Sequence, residues 1–160
     1  AVMTSARRES LSNLSNDEID RILSHDVSAT IAFLDKQGFP RMVPCWFLWD
    51  GTAFYVTSEP EKFHVRCLVE DNRASLCVEV EEVVPGQRRS NRQIKAVGRI
   101  EIFEDLQEGG WWQRIRKKYL GPAALPDVIT PTTSSRVVLK LLPMRLSAHG
   151  GGTVVDSSPD

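Results

Sequence analysis

The sequence predicts a mainly β fold, an antiparallel sheet or barrel with helices at its ends. Three observations carry that prediction. Six apolar, β-branched runs follow one another, most of them joined by short turn signals. Only three segments carry helical signals, and they do not alternate strictly with the strands as the βαβ units of a parallel sheet would. The clearest strand, "QIKAVGRIEIF", sends Ile94, Ala96, Gly98, Ile100 and Ile102 to one face and Lys95, Arg99 and Glu101 to the other, the pattern of a sheet with one buried side.

The elements follow in order. "AVMTSARRES" is polar, so residues 1–13 are expected to form a flexible segment. In "LSNDEIDRILSH" Ser15 can cap a short helix, Glu18 can close a capping box and Leu14 can staple onto Ile19, which leaves Ile19, Ile22 and Leu23 as the buried stripe. "SATIAFL" is the first strand and ends in the turn residues "DKQGFP". "RMVPCWFLW" and "TAFYVT" are the next two, joined by Asp50-Gly51, a pair that suits a type I′ turn. Residues 42–49 are apolar on both faces and are expected to be covered on both sides.

A helix follows in "SEPEKFHVRCLVED", with Ser58 as N-cap and Glu61 as its capping-box partner. Next come the strand "RASLCVEV", an exposed charged loop "EEVVPGQRRSN", and the amphipathic strand already quoted, in which Gly98 marks a bulge or bend. "DLQEGGWWQRIRKKYLGP" reads as a helix with Asp105 and Glu108 at its start and Gly121-Pro122 as its stop. "SRVVLKLLP" is the last strand. The expected organisation is one domain over residues 14–148 and a flexible tail over 149–160.

A chain of 160 residues can bury a core without disulfide or metal staples, and its 41 % hydrophobic and 26 % charged content is ordinary for a globular domain. A net charge of −1 gives no support to nucleic-acid or anionic-membrane binding. Neither a secretory leader pattern nor a run of 18 apolar residues occurs. Cys45, Cys67 and Cys77 are odd in number and set in apolar surroundings, which predicts core thiols, a reducing compartment and a cytoplasmic protein. His25, His64 and His149 are isolated, without H-x-x-x-H or C-x-x-C spacing, so no metal is expected. Walker, G-x-G-x-x-G and G-x-S-x-G signatures are absent.

Chemistry concentrates at the junction "YVTSEPEKFHVR". Capping alone accounts for Ser58 and Glu61. A helix N-terminus also offers free N–H groups and partial positive charge, here joined by the hydroxyls of Thr57 and Ser58 and the cations Lys62 and Arg66. Both readings stand on the residues: a capped helix, and the anion-receiving end of a groove.

The run "GFPRMVPCWFLWDGTAFYVTSEPEKFHVRCLVEDNRASLCVEVEE", followed by "AVGRIEIFED" and "KKYLG", resembles the pyridoxamine 5′-phosphate oxidase-like family of flavin-binding proteins. The resemblance spans about residues 14–148. It implies a six-stranded antiparallel split β-barrel, usually a homodimer, with FMN or a deazaflavin (coenzyme F420) in grooves between the subunits. Some members reduce small molecules. By position it places Val43, Pro44, Cys45 and Trp46 beside the ring system and Tyr55, Thr57 and Ser58 along the ribityl chain and phosphate. Lys62, Phe63, His64 and Arg66 fall at the start of the helix whose basic residues would meet the phosphate. The family commonly writes a lysine two residues before the arginine of an R-N-L segment, where this chain has His64 ahead of Arg66 and Cys67 in place of the asparagine. Lys62 reaching from the preceding turn, His64 donating in its place, and a weaker site are the open accounts.

The implied function is an oxidoreductase passing hydride between FMN and a small-molecule substrate, with no catalytic acid or base that the sequence names. The alternatives are an F420-dependent reductase, with Arg88, Arg89, Arg92 or Lys95 meeting the acidic tail of that coenzyme, and a non-catalytic flavin- or haem-binding protein. Oxidation of pyridoxamine 5′-phosphate itself is not implied, because the basic residues dedicated to that substrate find no match.

Overall fold

The computed structural model describes residues 9–10, 13–82, 90–122 and 135–151. Among them the elements are β1 (Glu9–Ser10), α1 (Asn16–Leu23), β2 (Ala29–Leu34), β3 (Pro40–Cys45), β4 (Leu48–Trp49), β5 (Phe54–Ser58), α2 (Phe63–Glu70), β6 (Arg73–Glu82), β7 (Ser90–Glu104), α3 (Trp111–Leu120) and β8 (Val137–Gly151). The strands run in the order β3-β2-β6-β7-β8-β5-β4, every neighbour antiparallel, and β1 adds a short parallel pairing to β8.

This is the predicted antiparallel fold with one strand more on the path than the six expected. The run 42–49 is not continuous: it breaks at Trp46-Phe47, and its halves lie at opposite ends of the sheet, β3 against β2 and β4 against β5. Two strands separated by two residues cannot sit at the two edges of a flat sheet. The sheet therefore curls into a half-barrel that brings the end of β3 near the start of β4 without pairing the two edges.

Phe47 turns fully into the core beside Phe54, their ring centroids 5.9 Å apart. A break in a strand strands its backbone groups, which must find other partners. Helix α3 supplies them. The Tyr119 hydroxyl accepts from the Phe47 N–H at 3.2 Å and donates to the Val27 carbonyl at 2.7 Å. Lys118 Nζ donates to the carbonyls of Phe47 and Leu23, both at 3.1 Å, and lies 3.8 Å from the Phe47 ring centroid.

Coverage on both faces does not hold for β3 within one chain. Val43 and Cys45 pack against the core, but Pro40, Arg41, Met42 and Pro44 are exposed, Met42 to 75 %. The three cysteines are free; Cys67 is buried, while Cys45 and Cys77 are partly so.

Helix α1 forms as predicted, with both bonds of the Ser15–Glu18 capping box and with Ile19, Ile22 and Leu23 buried. The hairpin between β4 and β5 is tight, but its turn differs from the one expected. Asp50 N–H bonds the Ala53 carbonyl at 3.2 Å, so Gly51 and Thr52 are the central residues, and φ is positive at Gly51 alone (+93°). That is the II′ pattern; Asp50 instead turns its carboxylate onto the N–H groups of Thr52 and Ala53.

Helix α2 begins at Phe63 with Lys62 as its N-cap and without a capping side chain. Ser58 is not its cap, because it stays in the β5 ladder opposite Val137, and Pro60 then turns the chain in a bend closed by Lys62 N–H to the Glu59 carbonyl at 3.1 Å. Helix α3 also starts later than expected. Asp105 nevertheless caps it from upstream, its carboxylate accepting from the N–H groups of Trp111 and Trp112, each at 2.9 Å. Gly121, at φ +77°, ends the helix as predicted.

In β7 the expected alternation is present, and the register slips between Val97 and Gly98, where a Cβ would sit 2.8 Å from the Leu142 carbonyl oxygen. Strand β8 pairs with β7 through Gly151, beyond the boundary expected at 148, and Glu9–Ser10 pair with β8 inside the segment expected to be flexible. Among the described residues no helix is long and apolar enough to cross a membrane.

Candidate functional site

A cleft of about 250 Å³ opens where the end of β3, the end of β5, the first turn of α2 and the inward face of α3 converge. Seven residues singled out from the sequence line it: Val43, Pro44, Cys45, Trp46, Thr57, Ser58 and His64. Trp112, Ile115, Arg116 and Arg136 complete the wall.

Each residue arrives there for a local reason. The break after β3 leaves Trp46 outside the core, 40 % exposed and stacked on Tyr119 at 4.6 Å with the rings 4° from parallel. Thr57 and Ser58 are the last residues of β5, and ladder pairing of Ser58 with Val137 sets Arg136 alongside them. Along α3, Trp112, Ile115, Arg116 and Tyr119 recur at i, i+3, i+4 and i+7, one face of the helix.

Ser58 Oγ lies 2.9 Å from His64 Nε2. His64 is half-buried, and burial first, then the nearby Lys62 charge, holds its pKa below the usual 6.5. Between that lowered value and 6.5 the unfolded chain binds more protons than the folded one, so stability rises with pH across this window. The contribution of neutral His64 is complete above about pH 6.5 and is lost as pH falls through the folded value. Thermal unfolding measured from pH 7.5 to pH 5 should show this loss, and His64→Gln should remove it; equal slopes in both proteins would refute the assignment. The Cys45 thiol is buried although the residue is partly open, and burial pushes its pKa up to about 12, so it is no thiolate nucleophile at neutral pH.

The other four sequence-derived residues lie elsewhere. Tyr55 is one pleat behind Thr57 and covered by Trp111, stacked at 3.5 Å, with its hydroxyl donating to Asp50 Oδ2 at 2.9 Å. Lys62 pairs with Glu59 at 3.8 Å and does not line the cleft. Phe63 and Arg66 line a different groove, of about 990 Å³, between α2 and the β2–β3 turn, where the Arg41 guanidinium lies 4.7 Å from the Phe63 ring centroid. Of the cations considered for an acidic coenzyme tail, Arg88 and Arg89 lie outside the described residues, and Arg92 and Lys95 sit on β7 away from the cleft wall.

Two arginines were not singled out from the sequence. Arg116 had a signal, the helical stripe that begins at Trp112. Arg136 had none, because only the β5–β8 ladder brings it to the site. Their guanidinium carbons lie 5.0 and 5.1 Å from the Trp112 ring centroid. The lining thus combines aromatic surface, two hydroxyls, an imidazole and two guanidiniums with no carboxylate, a donor set that fits a flat ring bearing a phosphate. At about 250 Å³ the cleft is smaller than the roughly 300–1,000 Å³ of sites that enclose drug-sized ligands. Among the described residues no group of three His, Cys, Asp or Glu is placed to hold a metal.

A curled antiparallel sheet with flanking helices and a cleft at its open edge defines a split-barrel protein. Residues 15–150 match the family model for pyridoxamine 5′-phosphate oxidase, and the chain belongs to that family. Among solved structures it is similar to an F420 reductase, 19 % identical over 80 % of this chain and 94 % of that one, with a TM-score of 0.64. It is also similar to a FAD-binding protein from Mesorhizobium loti (20 % identical, 86 % and 96 % covered, TM-score 0.61). A third is a FAD and haem binding protein from Mycobacterium smegmatis (18 % identical, 81 % and 66 % covered, TM-score 0.64). At these identities the likeness is one of fold. No curated protein matches the chain in sequence.

Proposed function

We propose that this chain is a flavin-dependent oxidoreductase that holds FMN in a groove shared by two copies and passes hydride to or from a small molecule. The observation that carries the reading is the convergence of residues 43–46 with Thr57, Ser58 and His64 on one cleft. The names of the similar structures, which mention FAD and F420, point to the same cofactor class.

When bound, the flavin supplies the hydride chemistry, and the protein's part is to hold it, set its surroundings and admit the substrate. Val43 to Trp46 form the wall for the ring, with Trp46 screening one side from water. Thr57 and Ser58 offer hydroxyls to the chain and phosphate, and His64, neutral near pH 7, donates or accepts without adding charge. Among the described residues no carboxylate lines the cleft, and His64 is the one imidazole in its wall.

The test is the absorption spectrum of the purified protein, followed by separate titrations with FMN and coenzyme F420. FMN binding in the micromolar range or tighter, by a species of twice the chain mass, is the expected result. Tighter binding of F420 moves the assignment to a deazaflavin reductase, and binding of neither overturns it. The signature of haem as the ligand is a Soret band lost in His64→Ala.

A further inference from the structure

Resting on the flavin reading, we infer that the phosphate of the bound cofactor is held by Arg116 and Arg136, with Ser58 and His64 as uncharged hydrogen-bond partners, and not by Lys62 or Arg66.

The placement of the cations is the first ground. Arg116 and Arg136 share the cleft wall with Ser58 and His64, whereas Arg66 opens into another groove and Lys62 leans on Glu59. The second is an unused donor: Arg136 Nε is buried and has no hydrogen-bond partner, so its planar fork keeps a donor for an incoming oxyanion. Local charge is the third. Two guanidiniums held beside one indole repel each other, and the cation–π attraction of Trp112 offsets this only in part. The carboxylates nearby, Glu59 and Asp105, offset this charge only in part. Glu59 stands 3.9 Å from Arg136 Nη1, beyond hydrogen-bond length, and is shared with Lys62. Asp105 already accepts from the N–H groups of Leu106, Trp111 and Trp112. An anion that reaches both arginines completes the arrangement. A neutral His64 at this position is then understandable, since the charge comes from α3 and from the residue preceding β8.

FMN and riboflavin share a ring system and differ by the phosphate, so the pair isolates that group. With the full chain, flavin fluorescence titrations should show Arg116→Met and Arg136→Met each weakening FMN roughly tenfold to a hundredfold, the size of a lost charge-assisted contact. Riboflavin affinity should stay within about twofold, which also shows that the variants are folded; Arg136→Lys, keeping charge without the fork, should fall between. Lys62→Met and Arg66→Met should leave FMN binding unchanged. Retained FMN affinity in both arginine-to-methionine variants, or its loss in either control, overturns the inference. If the unaltered protein binds neither flavin, the flavin reading falls by itself, and inorganic phosphate decides the anion site. A melting temperature raised by phosphate in the unaltered protein but not in the Arg116→Met/Arg136→Met double variant supports it, and no rise in the unaltered protein overturns it.

Discussion

Phe47→Ala should destabilise the fold by about 3–5 kcal/mol, the range for removing a fully buried phenylalanine. Phe47 is the residue at which the two edges of the sheet are joined, and it packs inside against Phe54 while Lys118 covers its ring. The substitution leaves a cavity at the joint, and the total stability of a domain is only about 5–15 kcal/mol. Urea denaturation monitored by tryptophan fluorescence measures the change. Trp46→Ala, one residue earlier but stacked on the outside, should cost roughly 1 kcal/mol. Similar costs at the two positions would show that closure of the half-barrel does not depend on the inward residue.

Asp105→Ala should cost about 2–4 kcal/mol and weaken FMN binding as well. Its carboxylate accepts from three backbone N–H groups, those of Leu106, Trp111 and Trp112, and each charged acceptor of this kind contributes on the order of 1 kcal/mol. Gly110 lacks the side chain that would collide with the Asp105 carboxylate and the Leu106 carbonyl. Because α3 carries Trp112 and Arg116 into the cleft and Lys118 and Tyr119 onto the joint, loosening its first turn reaches both. Asp105→Asn, which keeps one acceptor oxygen, should lie between the alanine variant and the unaltered protein. The measurements are urea denaturation and FMN titration on the same preparations. A change below about 0.5 kcal/mol in Asp105→Ala would show that the N–H groups find water or neighbours without it.

Local signals in the sequence translated well where the interaction itself is local. The Ser15–Glu18 box, the alternation of β7 and the stop at Gly121 each depend on residues a few positions apart, and the slip at Gly98 was marked by the glycine itself. The wall from Val43 to Trp46 and the pair Thr57-Ser58 were legible through their resemblance to a family pattern. What escaped was set by distant pairing. A run that is apolar on both faces reads the same whether it stays straight or folds inward at Phe47. Ser58 has the chemistry of a helix cap, but the Val137 ladder claims its backbone and leaves its hydroxyl to His64. Tyr55 fits a cofactor contact by position until Trp111, brought by α3, lies over it.

Strand β3 has a consequence for how copies of the chain can meet. It pairs with β2 on one side only, and its prolines at 40 and 44 fall at alternate positions, with Met42 between them. A proline in a paired strand occupies a position whose N–H direction faces away from its neighbour. The outward row of amides at 40, 42 and 44 is thus reduced to the single N–H of Met42. An edge with one donor is a poor template for another strand, which guards this flank against open-ended fibril growth. Any association through this flank therefore rests chiefly on side chains, because the edge offers acceptors but almost no donors.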